Sequence, residues 1–230
     1  MNMQTALQLG EKIAAQIQAN QFDAAYAQLA PVLAERTPFR YSERIGEVFG
    51  AVPLAACNQF LAKIAAHRTE GGWVVIGGAL RAQLNRDLPG AFGRARTYII
   101  AADVWYGADI LGERIPGPAL VNHFDGARNI LSGWQDDPNR WVRRAVGVGV
   151  HFWAKRSRGD ANLIPQASAL LDLLEPMFGE WEMDAVKGIG WGLKTLGRYY
   201  PELIAEWLPR QTGRKHRAIM RQKASKFLGD

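Results

Sequence analysis

The chain has 230 residues, enough for one large domain or for an array of small repeats. Hydrophobic residues make up 48% of it, so a sizeable core can form, and the net charge of +6 favours an anionic partner such as nucleic acid or a membrane surface. The one cysteine, Cys57, excludes an intramolecular disulfide and a cysteine-rich metal site, and fits a reducing cytosol.

Residues 1–21 carry no basic stretch followed by an apolar one, so no signal peptide is read there. Residues 5–20 instead have helical periodicity, with Leu7, Ile13, Ala14 and Ile17 on one face. A second helix over 22–33 is expected to be ended by Pro31 and Thr37-Pro38. Helices over 41–49 and 53–67 follow, with Pro53 at a first-turn position. Residues 71–84 are apolar or small on nearly every side and predict a buried helix. Within it, 73–80 is the most apolar window of the chain and far too short to span a bilayer. The protein is therefore read as soluble, in a bacterial-type cytosol, with no membrane partner. Pro89-Gly90 punctuates, a helix spans about 94–111, and Pro116-Gly117-Pro118 breaks the chain again. No run alternates strictly between polar and apolar residues, so no sheet is predicted and the fold is all-α.

An internal echo organises the second half. Trp141-Val142-Arg143-Arg144-Ala145-Val146 aligns with Trp181-Glu182-Met183-Asp184-Ala185-Val186 at an offset of 40 residues. Gly147 and Gly149 follow the first segment, Gly188 and Gly190 the second. A period near 40 built from helix pairs is the mark of HEAT-like or armadillo-like repeats. Small residues let neighbouring helices approach, and one two-helix unit cannot bury its apolar face alone. The expectation is one domain over 1–230, a curved α-solenoid of HEAT-like repeats with a concave binding face, present as a monomer.

Charge follows the same layout. Arg140, Arg143, Arg144, Lys155, Arg156 and Arg158 form one basic cluster. Residues 210–230 add Arg210, Arg214, Lys215, His216, Arg217, Arg221, Lys223 and Lys226, with Asp230 their only acid. A single charge run is ordinarily a solvated surface. Two runs on successive repeats would line one face and suit a phosphate backbone.

Familiar catalytic signatures are missing: there is no phosphate-binding loop, dinucleotide fingerprint, HExxH or nucleophile elbow. His67, His123, His151 and His216 are dispersed without ligand spacing, so neither a metal nor a cofactor is expected. Any chemistry must run on a carboxylate and aromatic rings. Trp105 and Asp109 are four apart and project from one helical face. Arg144 and Trp191 sit in later helical runs. Indole faces attract cations, a carboxylate can stabilise an oxocarbenium-like transition state or orient water onto it, and an arginine can fix a phosphate. These parts suit cleavage of an N-glycosidic bond in nucleic acid. Purines alkylated at N3 or N7 are already cationic and leave without a strong general acid.

Three segments carry a specific resemblance. Val104-Trp105-Tyr106-Gly107-Ala108-Asp109, Trp141-Val142-Arg143-Arg144-Ala145, and Lys187-Gly188-Ile189-Gly190-Trp191-Gly192-Leu193-Lys194 with Arg198-Tyr199-Tyr200-Pro201 resemble the AlkD-type DNA alkylation repair family, the HEAT-like-repeat DNA glycosylases. Arg217-Ala218-Ile219-Met220 is similar to that family's closing helix, and the detailed match covers about 95–228. The resemblance implies excision of alkylated bases from double-stranded DNA. Asp109 would be the catalytic carboxylate. Trp105 and Trp191 would flank the deoxyribose and phosphate of the lesion, and Arg144 would hold the DNA backbone. Arg143, Lys187, Lys194, Arg214 and Lys215 are candidates for phosphate contact, Tyr106 packs or lines the site, and Trp73 and Trp141 are assigned to packing. No lysine is placed as a nucleophile, which predicts monofunctional hydrolysis without strand cleavage. One departure stands out: family members often carry an acid directly after the aromatic pair, where this chain has Gly107. The alternative reading is a non-catalytic HEAT-like module that binds DNA or protein.

Overall fold

A computed structural model describes residues 1–228; Gly229 and Asp230, the end of the basic tail, lie outside the described residues. Helices follow one another, with no strand among the described residues. The chain divides into two compact units, 1–115 and 116–230. The first holds α1 (Met3–Gln18), α2 (Phe22–Ala34), α3 (Phe39–Gly50), α4 (Leu54–Ala65), α5 (Glu70–Gln83), α6 (Leu88–Ala102) and α7 (Trp105–Arg114). The second holds α8 (Pro116–Asn122), α9 (Phe124–Ser132), α10 (Arg140–Ser157), α11 (Ile164–Leu174), α12 (Met183–Tyr199), α13 (Pro201–Trp207) and α14 (Ala218–Ala224). Among the described residues, no helix is long and apolar enough to cross a membrane.

Short polar side chains start several helices by accepting otherwise unpaired backbone N–H groups. Asn2 accepts from Thr5 at 2.9 Å, Thr69 from Gly72 at 3.1 Å, Asp87 from Gly90 at 3.0 Å and Asn139 from Trp141 at 2.9 Å. The structure corrects three boundaries. Pro31 lies inside α2, because buried Leu29 and Val32 hold the helix on both sides of it and it ends only before Thr37-Pro38. Pro89-Gly90 opens α6 instead of separating helices, since Asp87 caps it and proline fits the first turn. The helix read over 94–111 is two helices. Asp103 turns left-handed at φ 47° and Val104 is extended, so α6 stops and α7 restarts at Trp105. Aspartate is one of the few residues that tolerate this turn.

In each unit a pair of long helices crosses with backbone close to backbone, and glycine makes both crossings possible. In the first unit α3 crosses α5. A Cβ built on Gly50 would lie 2.5 Å from the Ala79 carbonyl oxygen, while Gly46 and Gly78 face the Val75 and Glu43 carbonyls. In the second unit α10 crosses α12. A Cβ on Gly192 would lie 2.7 Å from the Gly147 carbonyl oxygen, and Gly147 faces the Gly188 carbonyl in turn. The expected close packing of small residues is thus present. The tryptophans of the echo are not equivalent, however. Trp141 is buried in the first turn of α10, whereas Trp181 precedes α12 and is 53% exposed. Trp73 and Trp141 both pack in the core.

A charged knot fixes α7 within the first unit. Glu43 on α3 accepts from Arg114 on α7 at 3.0 Å, and Arg81 on α5 pairs with both Glu43 and Glu47. The Arg114 stem lies over Gly77 of α5, and its guanidinium is buried. Removing one partner of a buried pair leaves an uncompensated charge. Glu43→Ala is expected to lower stability by about 3 kcal/mol. The check is a lower urea midpoint with an unchanged slope.

Cys57 lies buried in α4 and its sulfur accepts a hydrogen bond, 3.3 Å, from Gln83 Nε2. Burial pushes its thiol up to about 11.

Candidate functional site

Trp105 is the first residue of α7, and its indole is 56% exposed. Large aromatic rings are normally buried, and this one is held in solvent at a helix start, where its face is open to a partner. Tyr106 packs edge-on to it, with ring centroids 5.7 Å apart at 85°. Asp109 follows one turn later, half-buried, on the face that carries Trp105. Ala108, Ile110 and Leu111 are buried beneath, and Arg114 ties the end of the helix to Glu43. An indole and a carboxylate are thereby presented from a short helix with little freedom to move. Gly107 is buried between them. A Cβ there would sit 2.6 Å from the Ala102 Cβ at the end of α6, so the close approach of α6 and α7 excludes a larger residue at this position.

The cationic candidates of the second unit differ in what their charges already do. Arg144 is 7% exposed and donates to the Asp184 carbonyl at 2.9 Å. Arg143 is engaged by Glu180, 2.6 Å from Nε, and by the Asp137 carbonyl at 2.6 Å. Arg214 donates to the Glu175 carbonyl at 2.6 Å and to Gln211 at 3.0 Å. Lys187 and Lys215 are exposed and Lys194 is half-buried. The cations between 140 and 158, read from sequence as one cluster, occupy the two ends of α10. The rise of a helix separates Arg144 from Lys155 by about 16 Å along the axis.

Trp191 on α12 has one ring face covered. His151 of α10 stacks on it at 3.8 Å between centroids, tilted by 23°. The two rings are fixed by Thr195, one turn after Trp191. Its Oγ1 donates to the Trp191 carbonyl at 2.9 Å and lies 2.7 Å from His151 Nδ1. A hydroxyl has one proton to give. With that proton on the Trp191 carbonyl, His151 must donate from Nδ1 and is the neutral Nδ1–H tautomer. Sequence reasoning missed this arrangement because it weighed His151 only as a metal ligand.

Burial pushes the His151 imidazole down to about 4, and the cations of Lys155 and Lys194 push the same way. In the unfolded chain histidine titrates near 6.5, so between about 4 and 6.5 the unfolded state binds the extra proton. Stability from this residue is complete above about 6.5 and is lost as pH falls towards 4, about 3 kcal/mol in all. Urea midpoints of wild type and His151→Phe, followed from pH 7.5 to 4.5, test this. The wild-type midpoint is expected to fall more steeply than that of the variant.

A family model described as DNA alkylation repair enzyme matches residues 74–228, which include every candidate named above. No curated protein and no solved structure matches the chain.

Proposed function

The chain belongs to the DNA alkylation repair enzyme family, and from that premise we propose that it is a monofunctional DNA glycosylase for purines alkylated at N3 or N7. The observation that carries the reading is the exposed indole of Trp105 with the Asp109 carboxylate one turn further along the same face of α7. A cationic purine breaks its bond to C1′ by taking the bonding electrons into the ring, which neutralises the base. Positive charge then develops on the deoxyribose. A carboxylate stabilises that charge, orients the attacking water and accepts its proton, and an indole face favours the same cationic character. The products are the free base and an abasic site in an uncut strand.

Within the second unit, Trp191, backed by His151, and Arg144 are the candidates for contact with DNA. The two glycine-mediated crossings are taken as HEAT-like helix pairs. A monomer in a bacterial cytosol completes the proposal.

The direct test is release of 7-methylguanine from methylated duplex DNA, with strand integrity followed in parallel. Base release without nicking supports the reading. No release, with tight salt-sensitive binding, leaves a non-catalytic DNA-binding module instead.

A further inference from the structure

The Gly188-Ile189-Gly190 segment of α12 has a use beyond helix packing: it seats the stems of two cations. A Cβ on Gly188 would lie 2.5 Å from Arg144 Cγ, and a Cβ on Gly190 would lie 2.6 Å from Lys223 Cδ. The aliphatic stem of Lys223, which belongs to α14, therefore runs directly across the backbone of α12. Its Nζ ends 3.5 Å from the Lys187 carbonyl oxygen. Lys194, one helical turn past Gly190, joins Lys223, Lys226, Gln222 and Ile219 around a groove of about 500 Å³. Phe227 borders the same edge, 41% exposed, with the Lys194 and Arg198 cations about 6 Å from its ring centre.

Among the described residues, no carboxylate forms an ion pair with Lys187, Lys194, Lys223 or Lys226. By contrast, Arg143 on the facing helix has Glu180, and Arg140 has Asp184. Like charges gathered without counter-charge cost stability, a cost that an anionic partner would offset. Burial pushes the Lys223 ammonium below the usual lysine range, and the Lys194, Arg144 and Lys187 cations push it further.

We propose that Lys187, Lys194, Lys223 and Lys226 form a clamp for consecutive phosphates of a DNA strand, with Lys223 at its centre. The proposal rests on the DNA-binding part of the function above; it keeps Lys187 and Lys194 of α12 as phosphate contacts and adds Lys223 of α14 and Lys226 just beyond it in place of Arg143 and Arg214.

A lysine that neutralises one phosphate contributes about 0.9 to the slope of log affinity against log salt. For an undamaged duplex, Lys194→Gln/Lys223→Gln is expected to flatten that slope by about 1.8, and Lys226→Gln by about 0.9. Lys63→Gln is the charge control, because Lys63 already pairs with Asp23 on α2, at 2.6 Å. It should leave the slope unchanged. Pyrophosphate at equal ionic strength should compete weakly against the duplex. An unchanged slope in the clamp variants overturns the proposal. So does an equal flattening in Lys63→Gln, which would reduce the effect to net charge, or full competition by pyrophosphate, which would make the site one for small phosphates. Base release by the same wild-type preparation is read independently. Release with an unaltered slope sinks the clamp alone, and a flattened slope without release sinks the glycosylase alone.

Discussion

Asp109→Asn is expected to release 7-methylguanine at least about a hundredfold more slowly than wild type, a loss of ~2.7 kcal/mol in transition-state stabilisation. Asparagine keeps the size of the side chain and removes the charge. It can neither stabilise a cationic deoxyribose nor take a proton from water. The leaving group is already activated by alkylation, so the protein's contribution to the barrier is mainly electrostatic and should fall with the carboxylate. DNA affinity is expected to be kept or slightly tightened, because the lost charge repels phosphate. Single-turnover release, with duplex binding measured on the same samples, separates the two effects. A variant that cleaves within a few-fold of wild type would remove Asp109 from the chemistry.

A large change in stability is also expected from a single methyl group. Gly147→Ala would ordinarily stabilise the middle of a helix by about 1 kcal/mol. At this site the new Cβ meets the backbone of Gly188 and Ile189, which cannot rotate away as a side chain would. The α10–α12 crossing must widen, and the net effect is expected to be a loss of about 2–3 kcal/mol. Gly93→Ala in α6 is the matched contrast. Nothing lies within 4 Å of a Cβ there, so the same substitution should stabilise by about 1 kcal/mol. Opposite signs in urea denaturation support the close crossing. Two stabilised variants would refute it.

The all-α fold was legible because 3.6-residue periodicity recurs through the chain and nothing alternates. The α10–α12 crossing was legible for a different reason: its glycines follow similar segments 40 residues apart. The α3–α5 crossing escaped because Gly46, Gly50 and Gly78 share only small size with the others, and no repeated string surrounds them. The helix break at Asp103 escaped as well, since one left-handed residue leaves the flanking periodicity nearly intact. In the site, spacing within one helix was readable and contact between helices was not. Trp105 and Asp109 are on one helix and four apart. The pairing of Arg143 with Glu180 and the stack of His151 on Trp191 each join residues about 40 positions apart. Those contacts depend on how two helices are placed against one another, which is decided by packing and leaves no local pattern.

The buried Cys57 has a bearing on where a protein of this family must work. Alkylating agents attack the best nucleophile available, and for cysteine that is the thiolate. A thiol held at about 11 is ionised to roughly one part in several thousand at pH 7.5. Burial in α4 also denies the electrophile an approach. The chain therefore offers almost no thiolate of its own to the chemicals whose damage its family repairs, and this one sulfur is spared the exposure that creates the family's substrate.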